Sequence, residues 1–253
     1  NINLSLENSV FNMNKLSSSS ISYGGAIQSQ NAEGLFINCS FITNIIYASG
    51  HDSFGGAISL SDSIGSFNKC NFTSNLVYTY SRLPYSTTYF SYGGAISVYS
   101  TSNAKTNFIK SIIECTFNNN TSSSSSNSYG GAVYISNSYD SENSTFINSA
   151  FINNTAYSKS HSSCSGAIDF SSSLKGLNTS FIKLTFYNNS AYSKSDLSFG
   201  GAISYIYTYL YSKKYVQALF SDCVFMNNRA NTEGGAIKFS GIIAVFQNCT
   251  FND

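Results

Sequence analysis

Six cysteines are the residues of this chain whose type could support metal binding or a disulfide. Five recur at similar places in a repeated pattern, and the sixth, Cys164, lies two residues before Gly166. No two are separated by only two residues, as zinc-binding pairs usually are, so we predict no metal site and no cofactor. We interpret the recurring cysteines as small buried packing residues, with disulfides between them as the alternative. They are Cys39, Cys70, Cys115, Cys223 and Cys249.

Charged side chains are too few and too scattered to predict a catalytic site. They make up 10% of the 253 residues, and the formal net charge is +1. A β-helix enzyme that cleaves polysaccharide needs carboxylates clustered on one outward strand face with a cation nearby. Only Asp169 stands at such a position, with Lys238 two repeats away, and His51 and His161 lie in Ser-rich segments. We predict no catalytic residue and no enzyme activity.

Asparagine is the acceptor of N-linked glycans when Ser or Thr follows two residues later. With 30 Asn in a chain that also has 51 Ser, many such sites arise by chance, so their number is no evidence of selection. Several of them flank inward positions of the repeat and are expected to point outward. The glycosylation candidates are Asn38, Asn71, Asn119, Asn120, Asn143, Asn153, Asn178, Asn188 and Asn248.

Two alternating signatures organise the chain and must position all of these groups. The first is Gly-Gly-Ala-Ile, found at Gly24, Gly55, Gly93, Gly200 and Gly234, with variants at Gly130 and Ser165. The second is Phe-x-x-Cys-x-Phe-x-x-Asn, which contains the recurring cysteines. Extra length enters between the signatures as loops, the largest at 78–92 and 205–215.

Alternation within each signature predicts strands and their orientation. The Ile of the first signature shares an inward face with the residue two positions later. The residue between them, such as Ser59, Tyr134 or Asp169, is therefore expected to face outward. The predicted buried column is Ile27, Ile58, Ile96, Val133, Ile168, Ile203 and Ile237.

Equivalent strands of successive repeats are expected to lie side by side in parallel, so that like residues stack on like. Parallel strands in register aim their Cβ atoms alike, which disfavours disulfides between stacked cysteines. The recurring Asn suits a turn in which its amide bonds to the backbone or to the next Asn. This column is Asn44, Asn75, Asn120, Asn154, Asn189 and Asn228.

The predicted fold is all-β: a single-stranded right-handed parallel β-helix (solenoid) of about eight turns with loop insertions. Residues 1–253 are expected to form one continuous β-solenoid that is a fragment of a longer chain. The paired signatures resemble the repeats of the chlamydial polymorphic membrane protein family, from Leu6 to Phe251. The resemblance implies a right-handed β-helix displayed on a cell surface as an adhesin.

The function predicted from these features is that of a secreted or cell-surface structural or adhesive solenoid. It is expected to self-associate into a filament or surface layer, or to continue the same solenoid, and to carry N-linked glycans. The near-zero net charge argues against a nucleic-acid partner, and no apolar run is long enough for a transmembrane segment. The alternative is a carbohydrate-binding or carbohydrate-cleaving pectin-lyase-like β-helix.

Overall fold

The structure is a computed structural model that describes residues 2–81, 89–101, 108–136, 143–171, 178–195, 197–206 and 216–253. All regular elements in these ranges are short β-strands, 36 in total, and none is a helix. Among the described residues, nothing therefore offers the long apolar helix that crossing a bilayer would require. The two long insertions expected at 78–92 and 205–215 lie partly outside the described residues.

Two eight-stranded parallel sheets, A and B, hold the second signature. Sheet A consists of β1 (Ile2–Glu7), β6 (Ala32–Ile37), β11 (Ile64–Asn68), β16 (Phe108–Ile113), β21 (Ser144–Ile147), β26 (Asn178–Ile182), β31 (Val216–Ser221) and β35 (Ile242–Gln247). Sheet B consists of β2 (Val10–Asn12), β7 (Ser40–Ile42), β12 (Asn71–Thr73), β17 (Thr116–Asn118), β22 (Ala150–Ile152), β27 (Thr185–Tyr187), β32 (Val224–Met226) and β36 (Thr250–Asn252).

Three further parallel sheets complete each turn of the solenoid. Sheet C consists of β3 (Lys15–Ser18), β8 (Ile45–Ser49), β13 (Leu76–Tyr80), β18 (Thr121–Ser124), β23 (Thr155–Ser158), β28 (Ser190–Ser193) and β33 (Arg229–Ala230). Sheet D consists of β4 (Ser22–Tyr23), β9 (Ser53–Phe54), β14 (Phe90–Tyr92), β19 (Asn127–Tyr129), β24 (Ser163–Cys164) and β29 (Ser198–Phe199). Sheet E consists of β5 (Ile27–Gln30), β10 (Ile58–Ser61), β15 (Ile96–Tyr99), β20 (Val133–Ser136), β25 (Ile168–Ser171), β30 (Ile203–Ile206) and β34 (Ile237–Ser240).

The parallel β-solenoid expected from the sequence is confirmed, but its number of turns is not. Six turns have a strand in all five sheets, and in the seventh sheet D is reduced to a single bridge between Phe199 and Glu233. The eighth turn consists of β35 and β36 alone. The predicted number of about eight turns was too high because the last copy of the second signature, β35 and β36, was counted as a turn although no described strand of sheets C, D or E follows it.

Like residues stack on like in the core, as predicted. Rings of the second Phe of the signature form a continuous ladder of eight, with neighbouring centroids 4.7 to 5.1 Å apart. The predicted Ile column is fully buried from Ile58 to Ile203. Its end members Ile27 and Ile237 are half-buried because a neighbouring turn covers each from one side only.

The corners of the solenoid require backbone that most residues avoid. The residue before each inward Cys and the residue before each column Asn have positive φ, for example Glu114 (52°) and Asn153 (54°). Asparagine tolerates this left-handed conformation better than most residues. At each Gly-Gly corner that another corner follows, the second glycine leaves no room for a side chain. A Cβ on Gly131 would lie 2.0 Å from the carbonyl oxygen of Gly166 in the next turn.

Candidate functional site on the outer face of sheet C

The cysteine column lies inside the solenoid, where its side chains pack in the core. All six cysteines are free; Cys249 at the open end is half-buried and the others are buried. The Cys70 thiol donates to the Phe36 and Asn68 carbonyls, each at 3.4 Å, so its one proton is shared between two backbone acceptors. Burial raises the pKa of the Cys223 thiol to about 11 and raises that of Cys164 as well, which keeps both thiols protonated and unreactive.

The asparagine column forms a hydrogen-bonded ladder through the core. Asn154 Nδ2 donates to the Phe117 carbonyl (2.9 Å) and to Asn189 Oδ1 (3.0 Å), and Asn154 Oδ1 accepts from the backbone N–H and the Nδ2 of Asn120, both at 3.0 Å. The same pattern repeats from Asn44 to Asn228. Each side-chain amide thus satisfies one backbone N–H and one backbone carbonyl of the preceding turn, which would otherwise be buried without partners.

Most glycosylation candidates lie on the surface, and one does not. Asn38, Asn119, Asn143, Asn178, Asn188 and Asn248 are exposed, and Asn71 and Asn153 are half-buried. Asn120 is fully buried in the ladder, so in the folded chain it belongs to the structural column and is not accessible to a glycan. Five of the accessible set have positive φ, which is a conformational reason for Asn at those positions: Asn38, Asn119, Asn153, Asn188 and Asn248.

The outward column that follows each Ile is covered from Ser59 to Ser204, contrary to the prediction of a surface column; at its ends Gln28 is exposed and Lys238 is half-buried. Ser59, Ser97 and Asp169 have no exposed surface, and Tyr134 is nearly covered. The reason is that aromatic side chains of sheet D pack over the outer face of sheet E; the rings of Tyr92 and Tyr134, for instance, are 4.6 Å apart. Sheet E therefore has the core on one face and this aromatic layer on the other.

Asp169 is consequently a buried acid. Its Oδ1 accepts a hydrogen bond from the Ser171 hydroxyl. Burial raises the pKa of Asp169 to about 7. Lys238, expected two turns away, is paired with Glu233. Asp169 and Lys238 are thus not brought together.

The two histidines lie apart on the surface, as the sequence suggested. His51 is 6.1 Å from the ring of Tyr89, and His161 Nδ1 lies 2.9 Å from the Ser160 hydroxyl. Within the described ranges no three His, Cys, Asp or Glu side chains come together in a way that could hold a metal ion.

The outer face of sheet C is where exposed side chains of distinctive chemistry recur. Tyr157 and Tyr192 pair in register in adjacent strands, and their rings stack 5.7 Å apart with planes 8° from parallel. Lys159 and Lys194 follow two residues after each tyrosine and are exposed. This group was not predicted from the sequence, although its signal was present: Ala-Tyr-Ser-Lys-Ser occurs at 156–160 and again at 191–195.

Comparison with known proteins identifies the repeats. The sequence model of the Chlamydia polymorphic membrane protein repeat matches residues 114–136, 183–205 and 222–240, each of which joins one second signature to the following Gly-Gly-Ala element. No curated protein and no solved structure matches the chain. Three segments of the chain therefore match the repeat of this family, and the described residues form a parallel β-solenoid, in agreement with the resemblance seen in the sequence. Such repeats on such a fold fit a structural or adhesive protein of a surface.

Proposed function

We propose that this chain is a secreted or cell-surface β-solenoid that acts by adhesion and self-association and catalyses no reaction. The observation that supports this most is that the repeated residues and the variable residues occupy different parts of the fold. The strictly repeated Gly, Ala, Ile, Phe and Asn form corners and core columns, whereas the exposed faces of sheets A, B and C vary. Such a fold presents a stable surface whose binding properties are set by a few outward side chains.

Self-association is proposed at the two ends of the solenoid. Within the described residues, strands β1 and β35 pair with a neighbour on one side only, so the other edge of each can accept a further turn or another copy of the chain. Apolar side chains are exposed beside these edges, including Val10 and Met13 at one end and Phe246 and Phe251 at the other. Pairing of one end with the other would continue the sheets and bury these side chains. Glycans on exposed Asn residues would restrict contact between the sides.

The test measures adhesion, assembly and catalysis on the same purified chain. We expect concentration-dependent assembly in analytical ultracentrifugation, end-to-end filaments in electron microscopy, and saturable binding to cells or extracellular matrix. A panel of neutral and acidic polysaccharides should remain uncleaved. A chain that stays monomeric at high concentration, binds no cell surface and cleaves a polysaccharide would overturn the proposal in favour of a carbohydrate-cleaving β-helix.

A further inference from the structure

The Tyr-Lys pairs of sheet C form a compact patch in two successive turns, in which Tyr192 and both lysines are exposed and Tyr157 is half-buried. The pairing of Ser158 with Ser193 continues into the hydrogen bond from Lys194 N–H to the Ser158 carbonyl, so Lys159 and Lys194 stand side by side on neighbouring strands. The serines between Tyr and Lys are buried, which directs the tyrosines and lysines outward. We call Tyr157, Lys159, Tyr192 and Lys194 the Tyr-Lys patch.

The patch carries two lysine charges, and neither forms an ion pair with another described residue. The seven strands of sheet C contain no Asp or Glu. Neither Lys159 nor Lys194 has an ion-pair partner among the described residues; Asp196, close in sequence, lies outside them. Like charges on adjacent strands repel, so a ligand that supplies anions between them would be favoured.

The ring arrangement decides which kind of polyanion fits. Tyr157 and Tyr192 stack on each other, so the two ring faces between them are occupied by one another. This leaves no pair of open ring faces between which a nucleobase could insert, whereas hydroxyls and C–H edges suit the hydroxyl-rich surface of a sugar. Successive turns repeat the same groups about every 4.8 Å along the solenoid, which matches a linear polymer lying along that axis.

We propose that the Tyr-Lys patch binds an acidic polysaccharide, with the lysine ammonium groups on its carboxylate or sulfate groups and the tyrosines against its sugar rings. The proposal rests on the proposed adhesive function and names a ligand class for it. The ligand lies across Lys159 and Lys194 and neutralises both. Binding is therefore expected to weaken as salt screens these charges.

The chain itself supplies the substitutions that test the patch. In the preceding turn Ser123 pairs with Tyr157, and Ser125 stands two residues further on, so serine is native to both positions. The variants are Lys159→Ser with Lys194→Ser, and Tyr157→Ser with Tyr192→Ser. Matched controls on other faces are Lys183→Asn, because Asn148 holds that position one turn earlier, and Tyr187→Thr, because Thr73 lies in the same column.

Binding is measured by surface plasmon resonance on immobilised heparin, hyaluronate, dextran, poly-glutamate and single-stranded DNA. We expect the unmodified chain to bind heparin or hyaluronate and not dextran. The double lysine variant should lose about tenfold or more in affinity and the double tyrosine variant a smaller factor, while both controls keep the original affinity. Unchanged unfolding midpoints establish that the variants fold.

Several outcomes would overturn the proposal. These are equal loss in the Lys183→Asn control, unaltered binding in the double lysine variant, or tighter binding of poly-glutamate or DNA than of any polysaccharide. Failure here is separable from failure of the adhesive function. If the double lysine variant still adheres to cells and assembles, the proposed function stands and the ligand assignment falls. If the chain binds acidic polysaccharide but neither adheres nor assembles, the ligand assignment stands and the proposed function falls.

Discussion

Replacing Asp169 with Asn is expected to stabilise the solenoid at neutral and higher pH. The folded-state pKa of Asp169 is raised by burial from 3.8 to about 7. Between those two values the folded state holds a proton that the unfolded state has released, so stability falls as pH rises. At 1.36 kcal/mol per pH unit, the loss is about 4 kcal/mol once the pH exceeds the folded-state pKa. Below pH 4 both states are protonated and the loss disappears.

Of Asp169 and the titratable groups that sense its charge, only Asp169 changes its protonation state between pH 4 and pH 8. Tyr92, Tyr129 and Tyr134 lie close enough to sense its charge, and burial raises the pKa of each above its ordinary value of 10.0. The Cys164 thiol, which also senses Asp169, has a raised pKa as well. All four groups are therefore neutral from pH 4 to pH 8.

The assay is urea-induced unfolding of the unmodified chain and of Asp169→Asn at pH 4, 5, 6, 7 and 8. The free energy of unfolding of the variant should exceed that of the unmodified chain by a margin that grows with pH and levels off above pH 7. Asp169→Ser tests the same point, because serine is the native residue at this position one turn later, where Ser204 pairs with Asp169. Asp222→Asn, an exposed acid, should show no such margin. Parallel pH profiles for Asp169→Asn and the unmodified chain would refute the reasoning.

Three further predictions concern the ladder, the corner and the cysteines. Asn154→Ala should lower the free energy of unfolding by about 1–3 kcal/mol for each backbone group left unpaired, whereas Asn153→Ser should cost under about 1 kcal/mol; equal losses in denaturation would contradict the ladder. Gly131→Ala should cost more than about 3 kcal/mol because its Cβ meets the next turn's backbone, whereas Gly235→Ala, whose nearest neighbour is 3.6 Å away, should be tolerated in thermal unfolding. Under native conditions Cys249, the one half-buried cysteine, should react with a thiol reagent first, and mass spectrometry that finds a core cysteine labelled earlier would be evidence against the described core.

The core could be predicted from the sequence because repetition and alternation together specify it. The Gly-Gly-Ala-Ile interval places Ile58 beside Ile96, and the period of two places both side chains on one face. Alternation does not say whether the opposite face is covered. That was decided by sheet D, whose short strands carry aromatic residues such as Tyr92 just before the glycine corner, and the sequence analysis did not assign them a strand. Asp169 was consequently interpreted as a surface residue.

The candidate site was harder to predict than the fold for a related reason. Core residues repeat in every turn, but the Tyr-Lys patch occupies two turns and differs from the serines one turn earlier. A search for residues present in all repeats therefore passes over it. A duplicated pentapeptide on an outward face becomes meaningful once the register shows that Tyr157 and Tyr192 are neighbours in space.

The parallel stacking of the sheets also determines how the solenoid responds to mechanical force. Its strands cross the long axis and their backbone hydrogen bonds run along it, so tension between the ends detaches one edge strand at a time. Successive ladder asparagines are 34 and 35 residues apart near the middle of the chain. Each turn that peels away replaces about 4.8 Å of folded length with roughly 120 Å of extended chain. The remaining turns keep their pairing while one turn detaches, so we expect the solenoid to lengthen in steps under load.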